Sequence, residues 1–473
     1  MKQSLWIGGE YRPAATYTEL KNPFNLEHIA DIAVAGKDDV LDAIASADQA
    51  SAKLAALPAY VRAEILEKVA GFLKEEREEC AKIISQEAAK PLKAARAEVD
   101  RTIMTYTFAS HEARRIHGET VPMDAAPGGE GRVAFTVREP IGVIAAITPF
   151  NFPMNLVAHK VGPAIAAGNP VVLKPASQTP LSAYKIAEFF HRAGLPQGAL
   201  NVVTGSGRSV GDILMKDDRI KMITFTGSPE VGRYIRENSG LKRVTLELGS
   251  NSAVIVDEGV NLEKIIPRIV TGAFSYQGQV CISIQRIFVH ENLLEAFTEQ
   301  FVEEVKKLKT GNPLDEDTDI SALISRGDVI RTKEWVEEAV AGGAGIKIGG
   351  SITDGIYQPT VLVDVDTSAK VSCEEIFAPV VHINHFKTMN EAIEMVNDSK
   401  YGLQAGIFTN DIHYGLQAAK RLEVGGVMIN DIPTFRVDQM PYGGVKLSGM
   451  GREGIKYAVE EMTELKLISF KME

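Results

Sequence analysis

The chain has 473 residues, 45% of them hydrophobic and 24% charged, with 41 glycines and 21 prolines. That balance excludes a disordered or collagen-like chain and gives enough length for two or three packed domains. A net charge of −11 argues against nucleic acid or an anionic membrane surface as the main partner, since both require a basic footprint.

The opening stretch "MKQSLWIGGEYRP" lacks the apolar core and small-residue cleavage pattern of a secretion signal. No apolar run approaches the ~20 residues needed to span a bilayer. Three scattered cysteines, Cys80, Cys281 and Cys373, fit a reducing compartment better than a disulfide framework, so a cytoplasmic protein is expected. Residues 38–117 are rich in alanine, glutamate and lysine at helical spacing and predict consecutive helices, interrupted near Pro91. From about residue 140, short β-branched runs ("IGVIAAIT", "NPVVLKP", "ALNVVTG", "IKMITFTG") alternate with amphipathic stretches such as "SAYKIAEFFHRAG". This is the pattern of βαβ units on a parallel sheet. A second such series runs from "SAVIVDE" to "VGGVMIN", with a boundary expected between Leu248 and Asn251. The fold class is therefore α/β. Two segments, "GRVAFTVRE" and "MTELKLISF", alternate like exposed strands and need a partner, either each other or a second subunit.

Two glycine motifs invite a phosphate-binding reading. "GSGRSVG" has Gly205, Gly207 and Gly211, one residue too long for the dinucleotide fingerprint, and reads as a turn opening a helix. "MITFTGSPEVGRYI" is stronger: a strand ends at Thr226, Gly227 and Ser228 form a turn, and the following helix start offers free N–H groups to a pyrophosphate. Three other strand ends carry polar residues: Asn151 in "TPFNFPMN", Lys174 in "VVLKPASQTP" and Glu247 in "VTLELGSNS". In "SYQGQVCISIQR", Cys281 reads either as a small buried hydrophobe or as a nucleophile. An amide, a lysine, a carboxylate and a thiol near the carboxyl ends of α/β strands favour a ligand site.

Taken together, these motifs resemble the aldehyde dehydrogenase superfamily over nearly the whole chain. The resemblance is carried by "PFNFP", "LKPA", "FTGS", "LELG", "GQVC", "EEIFAPV" and "PYGGVKLSGMGREG", in that order. It implies a Rossmann-type NAD(P)-binding domain (1–117 and 140–248), an α/β catalytic domain (249–440) and a small β oligomerisation element (118–139 and 455–473) that builds a homodimer or homotetramer. It also implies NAD or NADP as cofactor and a small-molecule aldehyde as substrate. Cys281 is the implied nucleophile, Asn151 an oxyanion donor and Glu247 the base that hydrolyses the thioester. Lys174, Ser177, Gly207, Gly227, Ser228, Glu375 and Phe377 are the implied cofactor contacts.

Family members that use coenzyme A as acceptor typically lack this glutamate, so Glu247 favours hydrolysis. Loss of Cys281, Glu247 or Asn151 would mark a non-catalytic relative, and all three are present. His382 and His385 form a bare H-x-x-H without the glutamate of a metalloprotease, and no metal is expected. There are departures from the family pattern. Ser177 stands where NAD-preferring members commonly have glutamate, which removes repulsion against a 2′-phosphate and predicts that NADP is accepted. Ser250 and Ala378 stand where glycine is usual. The overall combination looks most like the branch acting on lactaldehyde and other small oxygenated or anionic aldehydes, with Arg101 and Arg436 as candidate substrate residues.

Overall fold

The computed structural model describes residues 2–472 and builds them on two large twisted sheets and a smaller ribbon. In the first sheet, five strands run parallel in the order Arg243–Glu247, Ile220–Thr226, Val143–Ile147, Val171–Lys174 and Leu200–Val202. Their side chains alternate between two cores, as a period-two strand must. Ile144 and Ala146 face a core built with the helices Ala59–Glu75, Leu92–Ala113, Asn155–Ala167 and Leu181–Arg192. Val143, Ala145 and Ile147 face the opposite core, with the helix Lys37–Ala55. Helices on both faces explain why these strands read as continuous apolar runs.

The helical reading of residues 38–117 holds. The helix Arg77–Ala88 stops at Ala89, whose φ is +48°, and the next helix, Leu92–Ala113, starts directly after Pro91. The sequence reading did not anticipate the N-terminal strands: Leu5–Ile7 and Glu10–Arg12 extend one edge of the first sheet, and Thr16–Lys21 pairs with His28–Val34.

The second sheet has six parallel strands, in the order Thr360–Val363, Val380–Phe386, Arg286–His290, Ala253–Val256, Gln404–Phe408 and Gly426–Ile429, with Gly345–Ile348 antiparallel at one edge. The chain then returns to the first sheet, where Gly449–Met450 pairs antiparallel with Leu246 and Glu247. That return brings the "PYGGVKLSGMGREG" segment across the gap between the sheets. The two orphan strands pair with each other: Thr463–Lys471 lies antiparallel to Arg132–Pro140, in register from Thr463 against Pro140 to Lys471 against Arg132. Among the described residues no helix is long and apolar enough to cross a membrane.

Candidate active site

The register of the first sheet lines up the predicted polar strand ends. Ile147 is paired with Lys174, Phe225 with Ile147, and Thr226 with Glu247, so all lie at one level on the carboxyl edge. Beyond that edge opens a cleft of about 740 Å³. Lys174, Ser177, Gly207, Gly227 and Ser228 all line it, which gathers five of the seven residues expected to touch a cofactor. Lys174 is buried, its ammonium held only by a 3.3 Å hydrogen bond to the Pro175 carbonyl, and burial lowers its pKa to about 8. Ser228 caps the helix Pro229–Asn238, its Oγ accepting from the Val231 N–H at 3.4 Å, so its hydroxyl proton stays free to donate. Ser177 donates to the Gly205 carbonyl at 3.2 Å. The cleft also holds an exposed cation that sequence reading missed, Arg208, in the loop first read as a mere turn.

Glu375 and Phe377 are not among the residues of that cleft. Glu375 accepts the Ser250 N–H at 2.9 Å, and burial raises its pKa to about 7. Its Oε2 would lie 2.4 Å from a Cβ at position 249, so any larger residue there would have to displace this carboxylate. Ser250 itself is accommodated, its Oγ bonding Ser252 Oγ at 3.1 Å. Phe377 has φ +50° and packs edge-on against Phe150 at 5.8 Å.

Cys281 follows a loop in which Tyr276, Gln277 and Gly278 are all left-handed, with φ of 50°, 54° and 72°. For the two non-glycines this costs about 1–3 kcal/mol each and requires external support. Support is present: Tyr276 Oη donates to the Ala88 carbonyl at 3.2 Å, and Gln277 Nε2 donates to the carbonyls of Ala89 and Ala322 at 3.0 and 2.9 Å. Gly278 is required because its φ is left-handed and a Cβ there would sit 2.3 Å from the Ala378 carbonyl oxygen.

Asn151 is buried. Its amide donates to the Gln279 carbonyl at 3.0 Å, two residues before the thiol, and its Oδ1 has no partner. The loop carrying it is fixed by Glu98, whose carboxylate accepts the N–H groups of Met154 and Asn155 at 2.9 and 3.1 Å. Glu98 pairs with the fully buried Lys90, whose ammonium lies 3.7 Å from the Phe152 ring centroid.

The Cys281 thiol is 3.0 Å from Tyr442 Oη. Burial raises its pKa to about 11; Glu375 and Glu247 push the same way, while the Tyr442 hydrogen bond and Arg436 oppose the shift. Glu247 is buried with neither carboxylate oxygen bonded. Burial, then the charge of Glu453, raise its pKa well above the usual carboxylate range, and Arg436, Lys160 and Arg452 offset only part of this.

Arg101 and Arg436 are both ion-paired. Arg101 donates to Asp438 at 2.8 Å and Arg436 to Glu453 at 3.0 Å, and each keeps a buried Nε without a partner. Asp438 also bonds His159 at 2.8 Å, and Glu453 also pairs with Lys160 at 2.9 Å. His159, Lys160 and Glu453 were missed by sequence reading. The signal for the first two was a polar pair in the middle of the apolar run "LVAHKVGPAIAA", in a helix with every residue buried.

Cys80 and Cys373 have no such surroundings: Cys80 is buried in the helical core, where burial raises its pKa to about 12, and Cys373 ends a short helix, half-buried. His382 and His385 share one strand, the first buried and the second exposed.

A cleft of that size at the carboxyl edge of a doubly wound sheet, beside a second α/β unit, lies where folds of this kind bind nucleotides. The sequence profile of the aldehyde dehydrogenase family matches residues 11–468, and the chain belongs to that family. A 3-sulfolactaldehyde dehydrogenase of Priestia aryabhattai is 49% identical over 464 residues, 98% of this chain and 97% of the relative. The crystal structure of aldehyde dehydrogenase 21 from Physcomitrella patens, in complex with its reaction product succinate, superposes with a TM-score of 0.97 at 42% identity, covering 99% of this chain and 98% of that one. Glyceraldehyde-3-phosphate dehydrogenase GapN from Methanocaldococcus jannaschii, complexed with NADP, gives 0.93 at 41% identity, covering 96% and 99%. The protein is an NAD(P)-dependent aldehyde dehydrogenase, an enzyme that oxidises small aldehydes.

Proposed function

We propose that the enzyme oxidises a short aldehyde bearing an anionic group, such as 3-sulfolactaldehyde, to its carboxylic acid, with NADP preferred over NAD. The reading is carried by two arginines near the thiol, each ion-paired to a buried carboxylate and each with an unbonded Nε. Arg436 is close enough to Cys281 to act on its ionisation, and Arg101 lies over Phe152, which packs in the same apolar cluster as Cys281. Both keep a buried Nε–H unused, a donor that an anionic substrate group satisfies. The three relatives act on or hold a sulfonated aldehyde, succinate and a phosphorylated aldehyde, all of them anionic.

In this reading the Cys281 thiolate attacks the aldehyde carbon and gives a thiohemiacetal. The Asn151 amide and the Cys281 N–H hold the developing oxyanion, where one donor is worth about 3 kcal/mol. A bound dinucleotide supplies the hydride acceptor. Glu247 then takes a proton from water, which hydrolyses the Cys281 thioester and releases the acid. Lys174, Ser177, Gly207, Gly227, Ser228, Glu375 and Phe377 position the cofactor. Residues 1–117 with 140–248 bind it, residues 249–440 carry the nucleophile, and the ribbon joins subunits into a homodimer or homotetramer. Exposed Val133, Leu465, Leu467 and Phe470, each more than half exposed, support that last assignment. Three free thiols support a cytoplasmic setting.

Lys174 and Arg208 in the cleft, with no acid at position 177, support room for a 2′-phosphate, although Asp212 and Glu230 line the cleft too. Arg208→Ala is expected to lower kcat/KM with NADP at least tenfold, about 1.4 kcal/mol, while leaving the NAD value within threefold. A wild type whose kcat/KM is higher with NAD than with NADP rejects the preference, and one that favours NAD a hundredfold rejects use of NADP altogether. For the substrate, an aldehyde panel covering 3-sulfolactaldehyde, succinate semialdehyde, lactaldehyde and propanal decides. Arg101→Ala should raise KM for the anionic members by tenfold or more and leave propanal nearly unchanged. Equal effects on charged and neutral aldehydes reject the anionic pocket.

A further inference from the structure

Among the described residues, the phenol of Tyr442 is the one side-chain group within hydrogen-bond reach of the Cys281 thiol, and its position is over-determined. Tyr442 is buried, with its Oη 3.0 Å from Cys281 Sγ. The Arg436 guanidinium lies over its ring, 3.6 Å from the centroid. Glu453 fixes both parts of this stack. Its carboxylate accepts from Arg436 at 3.0 Å, its carbonyl accepts the Tyr442 N–H at 3.0 Å, and its own N–H donates to the Tyr442 carbonyl at 2.7 Å. Gly443, the next residue, faces Glu247 Oε1 so closely that a Cβ would approach to 3.0 Å. The phenol is therefore held against the nucleophile by a side-chain stack and a backbone bridge.

We propose that Tyr442 is a catalytic residue whose hydroxyl donates a hydrogen bond to the Cys281 thiolate, with Arg436 and Glu453 as the positioning residues that aim it. The direction of the bond follows from chemistry: a thiolate can only accept, and a phenol buried beside a thiol and Glu247 keeps its proton, because burial and those groups hold its pKa well above normal. The thiol needs this help because burial, Glu375 and Glu247 all oppose its ionisation, and only Arg436 and Tyr442 favour it. A guanidinium on the ring face also polarises the O–H toward the sulfur. When the carbon–sulfur bond forms, the negative charge moves to the aldehyde oxygen; Tyr442 retains its proton throughout and only its hydrogen bond weakens.

This inference rests on Cys281 being the nucleophile. The test is the pH dependence of iodoacetamide inactivation of the full-length enzyme, with and without saturating NADP, in wild type and Tyr442→Phe. Phenylalanine keeps the ring and its guanidinium stack and removes only the hydroxyl. The expected result is a roughly tenfold slower alkylation near pH 8, because the whole profile moves about one pH unit upward. A residue that only fills space would leave that profile in place, so an unchanged profile overturns the proposal. Arg436→Lys, which keeps the charge opposite Glu453 but loses the flat stack, should shift the profile in the same direction by a smaller amount. Should Tyr442→Phe fail to fold, an unshifted Arg436→Lys profile overturns it instead. Failure of the underlying reading has a different signature: wild-type enzyme alkylated at Cys281 that still oxidises aldehydes.

Discussion

Cys281→Ser is expected to abolish acid formation, with kcat falling at least ~10³-fold, while the protein stays folded and its affinity for NADP stays within twofold. The reason lies in what surrounds the sulfur. A serine hydroxyl needs a base within hydrogen-bond reach to become a nucleophile, and the group in reach is Tyr442, a protonated phenol that cannot take a proton. A thiol ionises without such a base at the cost of its own pKa, here raised to about 11 in the free enzyme. The alkylation profile should therefore lie well alkaline of an ordinary cysteine until ligands rearrange the site. Oxygen for sulfur is a small volume change, and the left-handed loop before position 281 is held by Tyr276 and Gln277 rather than by the thiol, so folding is not at stake. The measurement is reduced-cofactor formation under saturating aldehyde, alongside a thermal melt and a binding titration with NADP. Retention of a tenth of wild-type activity with intact folding rejects Cys281 as nucleophile.

The sequence made the alternation of strand and helix legible because both faces of each sheet are covered, which forces short, continuous apolar runs between amphipathic helices. The pairing of the two orphan strands was foreseeable as one of two options, since nine-residue alternating strands must find an edge. The N-terminal strands were not legible: Glu10–Arg12 and Thr16–Lys21 are polar edge pieces whose pattern depends on neighbours far along the chain. The same limit explains the site. Asn151, Lys174, Glu247 and Cys281 each stand out locally, as polar residues at strand ends or next to a glycine turn. Tyr442, Glu453 and Lys160 acquire their meaning only when the chain crosses back from the second sheet to pair Gly449 with Glu247. Arg208 was hidden for another reason. Its loop was judged by glycine spacing, whereas what matters is that an exposed cation shares a cleft with Lys174 and Ser177.

Glu247→Gln should separate the two halves of the reaction. Acylation requires the thiolate and the oxyanion donors, and neither is supplied by Glu247, so one equivalent of reduced cofactor per active site should still appear as a rapid burst. Hydrolysis of the thioester needs a base, and glutamine is not one; steady-state turnover should drop ~10²–10⁴-fold. The pH dependence sharpens this. Glu247 is buried with both oxygens unpaired, and burial together with Glu453 raises its pKa, so the neutral form, which cannot act as a base, persists to higher pH than in an exposed glutamate. Wild-type deacylation should therefore rise with pH through that elevated pKa, with Lys160, Arg436 and Arg452 keeping it from climbing further. In the glutamine variant the rising limb should disappear, leaving a flat, slow rate. Glutamine matches the neutral carboxyl in shape and charge, so stability below the pKa of Glu247 should be unaffected. Stopped-flow traces across pH, with mass detection of the acylated Cys281, read each step directly. A variant that turns over at the wild-type rate, or that loses the burst together with the steady state, removes Glu247 from the deacylation step.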